Sequence, residues 1–258
     1  MRLKSLTTSV LASVLASSAV FAADAGFSDT QKQDIQKLVH DYIVSNPEVL
    51  VEASQVLQQK QQASFQKKVQ SAISENAAEL FNDTMSIGGN PKGTVTVVEF
   101  FDYQCVHCKK MAPVIEQVVA GDKNLRVIYK EFPIFGEESE YASKAALAAS
   151  MQGKYQALHD GLLKADKKLT NQEVMNIAKA AGINTYKLKT DMTSKAVTDA
   201  LAKNRELAEK LHLMGTPAFI VAATPDGQLK SDSEPAFVPG AITEQALQDL
   251  IKKSSTKA

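Results

Sequence analysis

Cysteine is scarce in this chain, with two among 258 residues, Cys105 and Cys108. That number excludes a disulfide-stapled scaffold, and a four-ligand zinc site would need a second Cys or His pair that the sequence lacks at suitable spacing. Neither sign of charge is in excess, since Lys plus Arg and Asp plus Glu each total 29. No basic stripe with interleaved aromatics is present, so a nucleic-acid surface is excluded. Residues 27–86 contain no glycine and no strand-like run, and read as helix. Long apolar runs are missing apart from Leu6 to Phe21.

That one run has the form of a secretory signal peptide. Arg2 and Lys4 precede it, Leu, Val, Ala, Ser and Thr fill it, and small residues close it. Val20 and Ala22 suit the positions three and one before a cut, which places cleavage after Ala22. The run is too short and Ser-rich for a membrane anchor, and no cysteine near the cut suggests a lipoprotein. Export gives the two cysteines their meaning, because disulfides form and persist in the periplasm and outside the cell. A lone pair there is present to react.

The pair lies in Cys105-Val106-His107-Cys108, directly after the apolar, β-branched and aromatic run Val95-Thr96-Val97-Val98-Glu99-Phe100-Phe101. That run predicts a buried strand, and the apolar spacing from Lys109 to Val119 predicts a helix. Cys105 then sits at a helix N-terminus, where unpaired N–H groups and the helix dipole favour a thiolate. His107 can add a donor or a positive charge near the same sulfur. Soft thiolates in a Cys-x-His-Cys site also suit copper(I), so a binding protein competes with a redox protein. Glu99 interrupts the strand; buried and unpaired it would have a raised pKa, and paired with a lysine it would be structural.

Residues 27–86 predict two helices. The first starts near Ser28-Asp29 and carries Ile35, Leu38, Val39, Tyr42 and Ile43 on one stripe. Asn46 and Pro47 suit the N-cap and first position of a second, with Val49, Leu50, Ala53, Val56 and Leu57 as its stripe. Phe65, Val69, Ile73 and Leu80 follow more thinly. So narrow a stripe favours self-association over burial within one chain. Gly88-Gly89-Asn90-Pro91 marks a boundary.

Beyond it, Leu125 to Lys130 predicts a second strand, parallel to the first across the Cys helix. A long helical block runs over residues 139–211, with a capping box at Thr170-Asn171-Gln172-Glu173. Pro217 to Ala222 resumes the sheet, Pro235 to Val238 pairs back as an antiparallel edge, and Thr243 caps a final amphipathic helix. His40, His159 and His212 lie in helical stretches without a partner cluster and read as solvated or structural.

Val98-Glu99-Phe100-Phe101-Asp102-Tyr103-Gln104-Cys105-Val106-His107-Cys108, the helical block, and Met214-Gly215-Thr216-Pro217-Ala218-Phe219 resemble the DsbA-like thiol:disulfide oxidoreductases. The resemblance covers about residues 93–253. The N-terminal helices resemble those of the oligomeric ScsC and Com1-type members. The implied fold is α/β, a thioredoxin fold with a central helical insertion and a preceding α-helical oligomerisation region. The implied layout is a signal peptide at 1–22, the helical region at 23–88, and a catalytic domain at 89–258 with its insertion at about 139–211.

The resemblance makes Cys105 the attacking, solvent-accessible thiol and Cys108 the buried resolving thiol, with His107 tuning the pair. Glu99 becomes a proton relay to Cys108. Thr216-Pro217 matches the family's cis-proline loop, where the Thr216 backbone can bond an extended substrate. Thr before this proline is closer to isomerases and reductases than to the strongest oxidases. The expected function is periplasmic disulfide isomerase and/or oxidase, with no cofactor beyond a redox-active Cys105–Cys108 disulfide and no metal. Expected partners are unfolded or misfolded exported proteins with cysteines, a DsbB-like or DsbD-like membrane redox protein, and further copies of the chain in a dimer or trimer. Envelope association is left open. The alternative is a copper(I)-binding or structural envelope protein of the same fold.

Overall fold

A computed structural model describes residues 26–256. The expected signal peptide and its cleavage point lie outside these residues. The chain divides into two compact units, Met1–Gln59 and Lys60–Ala258.

The described part of the first unit is helical. Helix α1 (Asp29–Ser45) begins with a complete capping box, in which the Ser28 side chain accepts from Gln31 N–H and the Gln31 side chain accepts from Ser28 N–H. It has no buried residue. Asn46 works at the end of α1 instead of the start of the next helix: its side-chain amide donates to the Tyr42 carbonyl. Helix α2 spans Glu48–Glu75. Leu38, Tyr42, Leu50 and Leu57 are all exposed.

The second unit starts well before the glycine pair expected to mark its boundary. Val69, Ala72 and Ile73 of α2, and Leu80 and Phe81 of the short helix α3 (Ala77–Phe81), are buried. They pack with Val98, Phe100, Ile128 and Ile220 on one face of the sheet. The thinly spread apolar residues after Phe65 are therefore core. A buried ion pair pins this layer down: Lys130 Nζ lies 2.8 Å from Asp83 Oδ2 and also donates to the Glu79 carbonyl at 3.0 Å.

The sheet has five strands in the order β1-β3-β2-β4-β5. Strand β2 (Val95–Phe101) runs parallel to β3 (Leu125–Glu131), with helix α4 (Val106–Gly121) between them in sequence. Every residue of both strands is buried, as the continuous apolar run at β2 implies. The Gly88-Gly89 segment is part of an edge strand, β1 (Ile87–Gly89), paired antiparallel to β3. Gly89 has φ +67°, and a Cβ there would stand 2.5 Å from the Leu125 carbonyl, so the ladder needs glycine at this point. Strand β4 (Ala218–Ala223) pairs antiparallel to β2, and β5 (Ala236–Pro239) to β4.

Five helices occupy the middle of the sequence: α5 (Glu137–Ser150), α6 (Tyr155–Leu163), α7 (Asn171–Ala180), α8 (Thr185–Asp191) and α9 (Lys195–Lys210). Thr170 caps α7 by accepting from Glu173 N–H, and Gly182 follows with φ +72°. Helix α10 (Glu244–Ser255), capped by Thr243, closes the chain. Alanines of α5, leucines of α6 and apolar residues of α4 join Val97, Phe101 and Val127 in the larger core.

Candidate functional site

The site begins where β2 ends. The Asp102 side chain accepts from Gln104 N–H at 2.7 Å, and its backbone carbonyl accepts from Cys105 N–H at 3.1 Å, which turns the chain sharply out of the sheet. Cys105 has extended backbone angles (φ −71°, ψ 117°) and is the N-cap of α4. Its carbonyl accepts from Lys109 N–H and so starts the helix. One turn in, Cys108 faces the core.

Both cysteines are free thiols and both are buried, Cys105 at 2% exposure and Cys108 at 1%. The expected solvent-accessible thiol is therefore covered. The Cys105 Sγ–H donates to the Thr216 carbonyl at 3.3 Å, so the loop before β4 lies against the sulfur. Its neighbours carry the exposure: Val106 at 58% and Met214 at 95%. The Thr216–Pro217 peptide bond is cis. His107 is exposed on the first turn of α4, and among the described residues it makes no hydrogen bond to either sulfur.

Burial pushes the Cys108 thiol up strongly, and the nearby Glu99 adds to this, while the Asp102 backbone and the Thr216 side chain act in the other direction. Glu99 is 2% exposed, and its Oε2 has no hydrogen-bond partner. Burial raises its carboxyl well above the ordinary range, with Cys105 and then Glu131 adding to the effect. No cation pairs with it among the described residues, which removes the salt-bridged alternative. Glu99 also lines a cavity of about 370 Å³, together with Tyr129, Gln156, His159 and Asp160.

Behind this site lies a buried polar cluster that sequence reasoning missed. Glu131 Oε1 accepts from Tyr103 Oη at 2.8 Å and from Tyr155 Oη at 2.9 Å. His159 Nδ1 lies 3.1 Å from Tyr103 Oη, and its ring packs edge-on against Phe101. His159 is thus neither solvated nor without a cluster. Desolvation lowers it to about 3 and keeps it neutral, and desolvation lifts Glu131 to about 8 against its two tyrosine donors. An acidic residue closing the strand was the available signal at Glu131, diluted by Arg126 and Lys130 in the same strand. Tyr155 and His159 gave none, because they reach the cluster from another helix.

Among the described residues no group of three His, Cys, Asp or Glu side chains is placed to hold a metal ion, and no helix is long and apolar enough to cross a membrane.

Residues 96–252 match the DSBA-like thioredoxin domain family, and residues 31–64 match the copper resistance protein ScsC N-terminal domain. A thioredoxin-like oxidoreductase from Silicibacter pomeroyi is 41% identical, with 71% of this chain and 99% of that one covered and a TM-score of 0.63. BcfH from Salmonella enterica Typhimurium is 32% identical over 87% of this chain and 96% of its own, with a TM-score of 0.74. The thiol:disulfide interchange protein DsbA of Burkholderia cepacia is 28% identical over 65% of this chain and 79% of its length. Two Na⁺/H⁺ antiporters of Salinispora also match, at 23% and 24% identity, but the chain spans only 22% of their length.

Proposed function

Because the chain belongs to the DSBA-like thioredoxin-domain family of thiol–disulfide oxidoreductases, we propose that it exchanges disulfides with exported, cysteine-containing proteins through Cys105 and Cys108. One observation carries the reading. Cys105 sits at the N-cap of α4 against the Thr216 carbonyl, with Cys108 buried one turn behind it. A client chain lying along Thr216 would meet the reactive sulfur there.

The steps balance as follows. The Cys105 thiolate attacks one sulfur of a client disulfide, and the other client sulfur leaves as a thiolate. Cys108 then gives up its proton and attacks the Cys105 sulfur, which forms the Cys105–Cys108 disulfide and releases the second client thiolate. The client is reduced by two electrons and the protein is oxidised by two. Run in reverse, the same steps oxidise a client dithiol. Release of a mixed disulfide before Cys108 attacks, with re-pairing among client cysteines, is isomerisation.

Glu99 handles the proton in this scheme. A carboxyl raised by burial lies closer in acidity to the buried Cys108 thiol than an ordinary carboxylate does, so transfer between them is less uphill. Thr216 and Pro217 shape the client's seat beside the sulfur, and exposed His107 meets the client side of α4. The pair itself is the redox centre, and no further cofactor is invoked.

The helical arm favours an oligomer, and with Thr216 it favours isomerase activity alongside oxidation. A membrane redox protein would set the resting state, and the compartment would be the periplasm. The second reading, copper(I) binding, draws on the description of the family matched by residues 31–64. That stretch holds no cysteine or methionine, and the thiolates that would suit copper(I) are Cys105 and Cys108.

Cys105→Ser should abolish exchange, and Cys108→Ser should accumulate mixed disulfides with clients, read by non-reducing electrophoresis. Absence of trapped client in the Cys108→Ser strain would sink the assignment. Stoichiometric copper(I) uptake by the reduced protein, lost in Cys105→Ser and accompanied by no activity on a client disulfide, would favour the second reading.

A further inference from the structure

Two acidic residues interrupt the sheet face that packs against α4, α5 and α6. Glu99 pairs in register with Tyr129, and Phe101 with Glu131, so Glu99 and Glu131 are diagonal neighbours on one face of adjacent strands. At about 4.8 Å between strands and 3.3 Å along each, their Cα atoms stand about 8 Å apart. Both carboxyls are buried, and in each the Oε2 atom has no hydrogen-bond partner. Lys130, between Tyr129 and Glu131 in β3, is turned to the other face and to Asp83.

Glu131 is tied to the catalytic turn. Its Oε1 accepts from Tyr103, two residues before Cys105, and from Tyr155 of α6. His159 Nδ1 meets Tyr103 Oη at 3.1 Å, and Ser143 of α5 and Asp102 of the turn also face the carboxyl. Around Glu99 stand the two cysteines, Tyr129 from β3, and His159 and Asp160 across the cavity. No lysine or arginine among the described residues pairs with either carboxyl, and desolvation keeps His159 neutral. A charge on Glu131 is therefore felt at Glu99 with no cation between them, and it makes Glu99 hold its proton more tightly.

We propose that Glu131 is a positioning residue for the exchange reaction, acting through Glu99 to set the pH range in which Cys108 resolves a mixed disulfide. This inference rests on the exchange reading above. In the resolving step Cys108 gives its proton to the Glu99 carboxylate, its sulfur attacks the Cys105 sulfur, and the client sulfur leaves as a thiolate. Glu99 has to be ionised to take that proton. A charge on Glu131 opposes the ionisation and a proton on Glu131 permits it, so the two carboxyls titrate as a pair. Burial lifts Glu131 to about 8, which puts its change of charge close to the ordinary range of a thiol.

The test mixes the reduced, full-length protein with an excess of an aromatic disulfide whose thiolate is coloured. Colour should appear in two phases. The first is attack by Cys105 and depends on the disulfide concentration; the second is resolution by Cys108 and does not. Glu131→Gln keeps an acceptor oxygen for Tyr103 and Tyr155 but cannot ionise. It should move the midpoint of the second phase's pH profile down by about one unit, the size expected of charges about 8 Å apart at an effective dielectric constant of about 20. The two proteins should run alike well below pH 8, where wild-type Glu131 is neutral as well, and separate above it by up to about tenfold. In a Glu99→Gln background the same change should leave the second phase within about twofold at every pH. Should Glu131→Gln fail to fold, Tyr155→Phe takes one donor from the ionised carboxylate and should move the midpoint the same way by less.

An unchanged midpoint in Glu131→Gln would overturn the proposal. So would an equal change at every pH, which marks a structural effect, or a separation that persists without Glu99. A wild-type protein that shows no second phase would instead defeat the resolving role of Cys108, and with it the exchange reading.

Discussion

The two units of this chain invert each other's surface logic. The helices before residue 60 carry Leu38, Tyr42, Leu50 and Leu57 into solvent and bury none of α1. The unit from Lys60 onward buries Glu99, Asp102, Lys130, Glu131 and His159. In the oligomer proposed above, each of these side chains that became buried would contribute roughly 1.5–3 kcal/mol. Polar burial calls for partners within, and this unit supplies them to Asp102 and Lys130 while leaving one oxygen each of Glu99 and Glu131 unpartnered. One unit is incomplete in its packing. The other leaves two buried carboxyls partly unpartnered, one of them close enough to Cys108 to raise its thiol.

The sharpest way to break the comparison is to cut the chain in two places. Removal of residues 27–59 should leave a folded monomer that still oxidises dithiols but has diminished isomerisation, read by sedimentation and by reactivation of a scrambled substrate. Removal of residues 27–86 should unfold the protein, because it strips out buried Val69, Ile73, Leu80 and Phe81, each of which costs about 2–5 kcal/mol even when only truncated. A folded product from the longer deletion would show that the second unit begins later than its packing indicates. Next in size, Leu38→Asp with Leu57→Asp should dissociate the proposed oligomer and leave the main thermal transition within about 2 °C, since the first unit contributes little to that core. A fall in that transition matching the loss of assembly would show that the units are not independent.

The buried groups predict a pH profile that the exposed helices should not share. Between 4.5 and about 8 the folded unit keeps a proton on Glu131 that the unfolded chain has lost, so stability falls as pH rises through that window. Glu99, raised for the same reason, acts in the same direction. His159 works from the other side: between 6.5 and about 3 the unfolded chain takes up a proton that the folded unit refuses, so stability falls as pH drops. Denaturant midpoints should peak near pH 4.5–6.5, and Glu131→Gln should flatten the alkaline side. An unchanged alkaline slope in that variant would mean Glu131 does not titrate in the window.

The smallest effect compares two caps. Thr170→Ala should destabilise the second unit by about 1 kcal/mol. Ser28→Ala should lower helix content in the first unit by circular dichroism, without moving the second unit's midpoint.

What could be read from the sequence follows from how local each cause is. The strand before Cys105, the capped helices and the parallel β2–β3 pair rest on runs of neighbouring residues, and the structure has them where the patterns pointed. The Gly88-Gly89 part of strand β1 was read as a boundary because glycines carry no side-chain pattern, and the strand's existence depends on β3. The start of the second unit was set too late because Val69 and Ile73 look sparse along α2 until a sheet lies against them. The Glu131 cluster draws residues 103 and 131, and the pair 155 and 159 of α6, from three separate segments, and no periodicity links the three.

The two ends of the sheet bear on how the protein would withstand the unfolded clients proposed for it. Its edges are a three-residue strand of Ile-Gly-Gly and a four-residue strand that stops at Pro239. Edges so short, one poor in side chains and the other closed by proline, give an unfolded chain little ladder to extend. If its clients are partly folded polypeptides, as proposed above, such edges would shield it from becoming the seed on which they aggregate.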